Sequence, residues 1–274
     1  MLDTNEIMKI ALELVGFESP PADSTINVKG TNIRKILFGI DADVPELMYA
    51  KQSGYDAVIS HHPKGGSAIL DFHKVFRRHI QQMVDAGIPQ DEAEQAIDMK
   101  LSALKVESHL RNYNHSVDVA RLLRMPYMNI HTPLDELGRR IMDQTIEQNI
   151  KEDAHVANVV QTLKQLPEFA NAQTDVEIRL GDETHLAGKT VVSHGAGTNG
   201  GFEVAKTYFK YGVNTLIYIH IGPEDLRKLK TYGKGNLVVT GHIASDSVGI
   251  NPFIKELEDR GVSVTRIGIV HSGR

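Results

Sequence analysis

Short apolar runs alternate with amphipathic segments along the whole chain, and this alternation predicts the secondary structure. Runs of strand length lie at 33–40, 56–60, 127–130, 175–180, 189–193, 213–219, 237–241 and 262–270. Segments with apolar residues at helical spacing lie at 4–16, 45–53, 73–125, 134–150, 155–166, 202–211, 223–232 and 248–260. Alternating strands and helices are typical of the α/β class.

The segment 33–60 reads as strand, helix and strand, which predicts parallel strands. The segment 17–31, which contains Pro20 and Pro21, is predicted to be a loop. In α/β sheets, ligands bind beyond the carboxyl ends of the strands, so polar residues at those ends are the first candidates for a functional site.

Composition narrows the class of protein. The net charge of -5 over 274 residues argues against nucleic acid and anionic lipid as partners. The absence of cysteine excludes disulfides, thiolate zinc ligands and cysteine nucleophiles. The first residues lack the basic and apolar regions of a signal peptide, and we see no apolar stretch of membrane-spanning length. We therefore expect a cytoplasmic protein with no membrane partner.

Histidines and aspartates lie where several strand-like runs end. His61 and His62 follow the run 56–60, and two further histidines each precede an aspartate by four residues, as His131 and Asp135 and as His242 and Asp246. Oxygen and nitrogen ligands in this number suggest a site for two metal ions, with the adjacent imidazoles serving two ions side by side. Alternatives remain open: exposed loop histidines, a first-turn Asp135 and a helix-capping Asp246.

A glycine-rich turn at 193–201 connects a predicted strand to a predicted helix. Gly195, Gly197 and Asn199 are candidates for binding a phosphate or carboxylate of a substrate or cofactor, since helix N-termini attract anions. The alternative is a tight connection without a ligand. His194 and His220 are further site candidates, whereas surface or capping positions are predicted for His73, His79, His109, His115 and His155.

The chain resembles the Ngg-interacting-factor-three-like proteins, a family often labelled GTP cyclohydrolase I type 2. The pieces that carry the resemblance occur in family order: 35–41, Ser-His-His-Pro at 60–63, 131–135, the turn at 193–201 and 241–246. The resemblance implies two interlinked α/β lobes with mixed sheets, a dinuclear metal cleft between them, and a ring-shaped homo-oligomer, with a hexamer favoured. We assign 1–125 plus 236–274 to the first lobe and 126–235 to the second.

The resemblance also implies a ligand set, which comprises His61, His62, Asp135, His242 and Asp246. Asp246 stands where the family usually has a bridging glutamate, and Tyr218-Ile219-His220 replaces the usual Thr-Gly-Glu. His131 matches a cleft histidine. A set of imidazoles and carboxylates suits zinc, manganese, iron, cobalt or nickel.

The leading hypothesis is a metal-dependent hydrolase of a nucleotide or other phosphorylated small molecule, in which two ions activate a shared water. Its candidate proton carriers are His131, His194 and His220, because imidazole titrates near neutral pH. The alternative is a non-enzymatic metal-binding scaffold or adaptor, whose helical region 73–125 presents helices to partners. A nucleotide-binding switch is a weaker third hypothesis because the chain has no P-loop.

Overall fold

The structure is a computed structural model, and it describes residues 1–273. The strands are β1 (Thr25–Val28), β2 (Lys35–Gly39), β3 (Ala57–Ser60), β4 (Tyr127–Asn129), β5 (Glu177–Leu180), β6 (Thr190–Val192), β7 (Thr215–Tyr218), β8 (Asn236–Val239) and β9 (Ser263–Ile267). They form a five-stranded sheet in the order β1-β4-β3-β2-β9 and a four-stranded sheet in the order β5-β8-β7-β6. Each described sheet is mixed, which confirms the predicted α/β class with mixed sheets.

Helices account for most of the remaining described chain. They are α1 (Thr4–Glu13), α2 (Val44–Gln52), α3 (Gly66–Leu70), α4 (Phe72–Val75), α5 (Arg78–Asp85), α6 (Gln90–Ser108), α7 (His115–Leu123), α8 (Thr132–Asn149), α9 (Val156–Leu163), α10 (Pro167–Ala170), α11 (Gly201–Lys210), α12 (Pro223–Tyr232) and α13 (His242–Asp259). No described helix combines the length and hydropathy that a bilayer span requires.

The chain divides into two compact units. Unit 1 comprises Met1–Val75, Leu104–Leu137 and Gly249–Ile269; unit 2 comprises Phe76–Ala103, Gly138–Val248 and Val270–Arg274. The predicted lobes differ from this division because strand pairing follows another order. β4 pairs with β3 and β1 in unit 1, whereas β8 pairs with β5 and β7 in unit 2.

The sheet of unit 1 has parallel strands β4, β3, β2 and β9, with β1 antiparallel at one edge. The prediction of a loop over 17–31 was wrong at Thr25–Val28. Its sequence Thr-Ile-Asn-Val does alternate polar and apolar residues, but the run is only four residues long and is half-buried throughout, so its pairing with β4 determines its conformation. A core of aliphatic side chains from β2, β3, α1 and the later part of α13 packs around Phe38 and Phe253, whose ring centroids are 6.1 Å apart.

Unit 2 has parallel strands β6, β7 and β8 with β5 antiparallel at the edge. Its core packs these strands against α8 and α9, and its buried members include Met142, Val159, Val192, Ile217 and Val238. The predicted helix 248–260 begins earlier in the structure, at His242, directly after Gly241 with its positive φ of 94°. His242 and Asp246 therefore lie within the helix, in its first turns.

Candidate metal centre

Three imidazoles of unit 1 meet where β3 and β4 end. Ser60 and Asn129 are register partners in these parallel strands, so His61 and His131 emerge at the same sheet edge. Their ring centroids are 4.8 Å apart, and those of His61 and His62 are 5.1 Å apart. One ring nitrogen of each of the three histidines lies within 4.8 Å of the others, so together they could hold a metal ion.

Each of these imidazoles directs Nδ1 at an oxygen that can only accept a hydrogen bond. The contacts are His61 to the Ile130 carbonyl at 3.0 Å, His62 to Asp41 Oδ1 at 2.9 Å and His131 to Asp23 Oδ2 at 2.7 Å. Nδ1 therefore carries the proton in all three rings, and in the neutral ring Nε2 keeps its lone pair. Histidines that bind a metal are held in this way by an outer carbonyl or carboxylate.

Asp135 is the carboxylate of this group. It lies in the first turn of α8, is 3% exposed, and places Oδ1 3.0 Å from His61 Nε2 and Oδ2 3.5 Å from His131 Nε2. A carboxylate oxygen and an imidazole lone pair repel unless a proton or a cation lies between them. The donor set therefore fits a divalent cation. Asp135 faces His61 and His131, so the helix dipole alone does not account for a carboxylate at this position.

Asp23 supports this group and was missed in the sequence. It is fully buried, and its Oδ2 also accepts from the Thr132 hydroxyl at 2.6 Å. The antiparallel pairing of Thr25 with Asn129 brings it to His131 across 108 positions of sequence. No spacing motif links Asp23 to His131, so only the unexpected strand β1 could have revealed it.

Asp41 lies two residues after the end of β2 and holds the ring of His62 by a hydrogen bond. Burial raises the pKa of the Asp41 carboxyl, but hydrogen bonds from Lys64 and His62 outweigh this and lower it to about 2. Lys64 Nζ lies 2.6 Å from Asp41 Oδ1. Asp41 is thus a carboxylate at neutral pH and a constant acceptor for His62.

Unit 2 carries a second histidine and carboxylate pair. His242 Nε2 lies 3.4 Å from Asp246 Oδ2, and the His220 ring centroid is 4.6 Å from that of His242. Asp246 is buried and follows the start of α13 by four residues, so it does not cap the helix. Burial, followed by the neighbouring His242, lowers the pKa of His220 to about 4.

The glycine turn 193–201 is held by side chains of α5 and α6. Four of its carbonyl oxygens face side-chain nitrogens: His194 O and Gln82 Nε2 at 2.5 Å, Gly195 O and Arg78 Nε at 2.7 Å, Thr198 O and His79 Nε2 at 2.8 Å, and Asn199 O and Lys100 Nζ at 2.7 Å. Gly195 and Gly197 adopt positive φ of 71° and 81°, which the turn requires. The helical region 73–125 was predicted to present helices to partners, and its part in unit 2 positions this turn.

His79 corrects a prediction, because it is fully buried instead of lying at the surface. Burial lowers its pKa to about 4, so the ring is neutral near pH 7. A signal was present: His79 continues the buried apolar positions Val75, Phe76 and Met83 at helical spacing.

The structure thus divides the predicted site residues between the two units. In unit 1 it brings together His61, His62, His131 and Asp135. In unit 2 it brings Asn199, His220, His242 and Asp246 into one neighbourhood, with His194, Gly195 and Gly197 in the adjoining turn.

Solved structures identify the family. A NIF3 superfamily protein from Sphaerobacter thermophilus has a TM-score of 0.96 and 47% sequence identity over 97% of this chain and 98% of that one. The chain belongs to the NIF3 superfamily. This confirms the resemblance to the Ngg-interacting-factor-three-like proteins.

Two more distant solved structures share the fold alone. Reduced HcgD from Methanocaldococcus jannaschii has a TM-score of 0.58 and 11% identity over 97% of this chain and 98% of that one. A hypothetical protein from Staphylococcus aureus has a TM-score of 0.56 and 12% identity over 100% of this chain and 98% of that one. No protein-family model and no curated protein matches the chain.

Proposed function

We propose that this NIF3 protein binds divalent metal ions and is a metal-dependent hydrolase of a nucleotide or other phosphorylated small molecule. The observation that carries the proposal is the arrangement of His61, His62 and His131, each with Nδ1 on an outer acceptor, around the carboxylate of Asp135. We propose two ions per chain, because each unit supplies its own histidine and carboxylate pair.

The proposed ligands are His61, His62, His131 and Asp135 in unit 1 and His242 and Asp246 in unit 2. Nitrogen and oxygen donors of this kind suit zinc, manganese, iron, cobalt or nickel. A bound divalent ion would supply a water of lowered pKa and would stabilise negative charge on a phosphoryl oxygen. His131 fits a ligand better than a proton carrier, since both of its nitrogens face carboxylates.

The remaining candidates belong to unit 2. We assign proton transfer to His194, and we assign the phosphate of the substrate to the glycine turn with Gly195, Gly197 and Asn199. The support for the turn is its position at the N-terminus of α11, where backbone N–H groups and the helix dipole favour an anion.

The test begins with chelation and elemental analysis of protein purified without an affinity tag. Metal-free protein is then assayed on a panel of phosphoesters and nucleotides, before and after addition of each ion. We expect activity only with metal, and loss of activity and of bound ions in His62→Ala. His62 is the choice because its partly exposed side chain packs less than His61 does. The exposed His109, changed to Ala, is the matched control.

The outcomes separate the hypotheses. Metal binding without turnover on any substrate would favour the non-enzymatic scaffold. A chain that binds no divalent ion would exclude both functions. Nucleotide binding by metal-free protein would favour the switch.

We also propose a cytoplasmic homo-oligomer, with a hexamer as the expected form. The exposed side chains Met99, Val106 and Leu110, on α6 and just after it, support an interface, since each is at least 66% exposed. Light scattering coupled to size exclusion measures the mass directly, and a monomer of 30.3 kDa would exclude the assembly.

A further inference from the structure

The amide of Asn199 has one allowed orientation. Its Oδ1 lies 3.3 Å from Lys100 Nζ and 3.0 Å from the backbone nitrogen of Gly201. Both of these groups are donors only, so the carbonyl oxygen must face them. The opposite flip would direct the NH₂ group at an ammonium and an N–H. Asn199 Nδ2 is thereby fixed toward His220, 2.9 Å from its Nδ1.

This contact fixes the tautomer of His220. Because Asn199 Nδ2 donates, His220 Nδ1 must accept with its lone pair, and the ring proton is on Nε2. The three histidines of unit 1 have the opposite tautomer, since their Nδ1 atoms face oxygen acceptors. A histidine with its proton on Nε2 has no lone pair there for a metal ion or for accepting a proton.

We propose that His220 is a neutral hydrogen-bond donor whose Nε2–H recognises an oxygen of the substrate phosphoryl group, and that Lys100 and Asn199 are its positioning residues. Its place beside His242 puts this donor next to a proposed metal ligand. The substrate class rests on the proposed function, whereas the tautomer does not. A neutral imidazole that donates to a substrate oxygen is a known catalytic device. The proposal gives His220 a role other than the proton transfer expected from the sequence.

The tautomer is tested in metal-free protein labelled with ¹⁵N at histidine, at one fixed pH. Long-range ¹H–¹⁵N correlation spectra distinguish the two tautomers and the imidazolium, and the His220→Gln spectrum identifies the His220 signals. We expect the Nε2–H form in the wild type. We expect the Nδ1–H form in Asn199→Asp, because a carboxylate can only accept. An Nδ1–H form or an imidazolium in the wild type would overturn the proposal.

A pair of variants on α6 tests the positioning role. Lys100→Met removes one of the two donors that orient Asn199, so the signals of His220 should shift toward a mixture of tautomers. The exposed Lys105, changed to Met, is the matched control and should leave the spectrum of the wild type. If Lys100→Met and Lys105→Met give the same His220 signals as the wild type, Lys100 has no positioning role.

The donor role is tested by steady-state kinetics on the metal-loaded protein. Loss of one preorganised donor lowers kcat by roughly 10²–10³-fold, which we expect for His220→Ala with the bound metal unchanged. His220→Gln keeps an N–H₂ donor near Nε2 and should recover a large part of kcat. A Gln variant as inactive as the Ala variant would indicate proton transfer and refute the donor role. Protein without hydrolase activity would refute the proposed function and leave the spectroscopic result intact.

Discussion

The outer carboxylate Asp23 gives the sharpest test of the candidate metal centre. Its Oδ2 accepts from both His131 Nδ1 and the Thr132 hydroxyl, while Oδ1 lies 3.3 Å from Ser24 Oγ. In Asp23→Asn the amide oxygen can occupy the position of Oδ2 and keep both hydrogen bonds, because the new NH₂ would face a hydroxyl that can accept. This variant therefore removes the charge and preserves the geometry, whereas Asp23→Ala removes both.

The size of the effect follows from the outer-shell role. Loss of a partner that orients a metal-bound histidine costs about 10–100-fold in metal affinity. We expect Asp23→Asn near the lower bound, about 1.4 kcal/mol, and Asp23→Ala near the upper bound, about 2.7 kcal/mol. The difference between the two variants separates the contribution of the charge from that of the orientation.

The assay is competition for Zn²⁺ between the protein and a chromophoric chelator. Asp56→Asn is the matched control, because Asp56 Oδ2 also accepts two hydrogen bonds, from the backbone nitrogens of Arg34 and Lys35, at the other end of β3. We expect the control to bind Zn²⁺ like the wild type. Undiminished Zn²⁺ affinity in Asp23→Ala would show that His131 is not a ligand held by Asp23.

Three further predictions follow from burial and charge. Burial lowers the pKa of His79 from 6.5 to about 4 in the folded state, so the unfolded chain binds the proton first and the free energy of unfolding should fall by about 3 kcal/mol as the pH drops from 6.5 to 4. His79→Gln should remove this part of the pH dependence, measured by urea unfolding. An unchanged pH profile in the variant would exclude His79 as its source. Phe253→Ala should lower the free energy of unfolding by about 3–5 kcal/mol, because the ring is fully buried. A loss no larger than in the exposed Leu122→Ala, within about 0.5 kcal/mol of zero, would contradict the packing. In thermal unfolding, the wild-type protein should gain about 2.7 kcal/mol of stability when Zn²⁺ is present at 100 times its Kd. Asp135→Asn should gain much less under the same conditions. An equal gain in the variant would remove Asp135 from the ligand set.

The sequence was sufficient wherever a residue's position followed from local pattern. The end of a parallel strand locates His61, and the end of the next strand locates His131, so their meeting at one edge could be anticipated. Helix spacing also located Asp135 in the first turn of α8.

Long-range pairing was beyond the same reasoning. Asp23 reaches His131 only through the edge strand β1, whose four alternating residues do not reveal that it pairs with β4. The tautomer of His220 depends on the orientation of the Asn199 amide, which is set by hydrogen bonds from Lys100 and Gly201. These residues come from three segments that are far apart in the sequence: α6, the turn 193–201 and the end of β7. The residues of β4 fall in the predicted second lobe, whereas β4 pairs with β1 and β3 in unit 1, because sequence order does not reveal which strands pair.

The division of the chain has a consequence for synthesis on the ribosome. Domains commonly fold from the N-terminus as the chain emerges. Here the sheet that begins first is completed last, because β9 at 263–267 pairs with β2 at 35–39. The other sheet has all its strands once residue 239 has emerged. A nascent chain therefore exposes the edge of β2 that faces β9 until residue 267 has emerged, and a chain that stops before β9 would leave β2 an open template for aggregation.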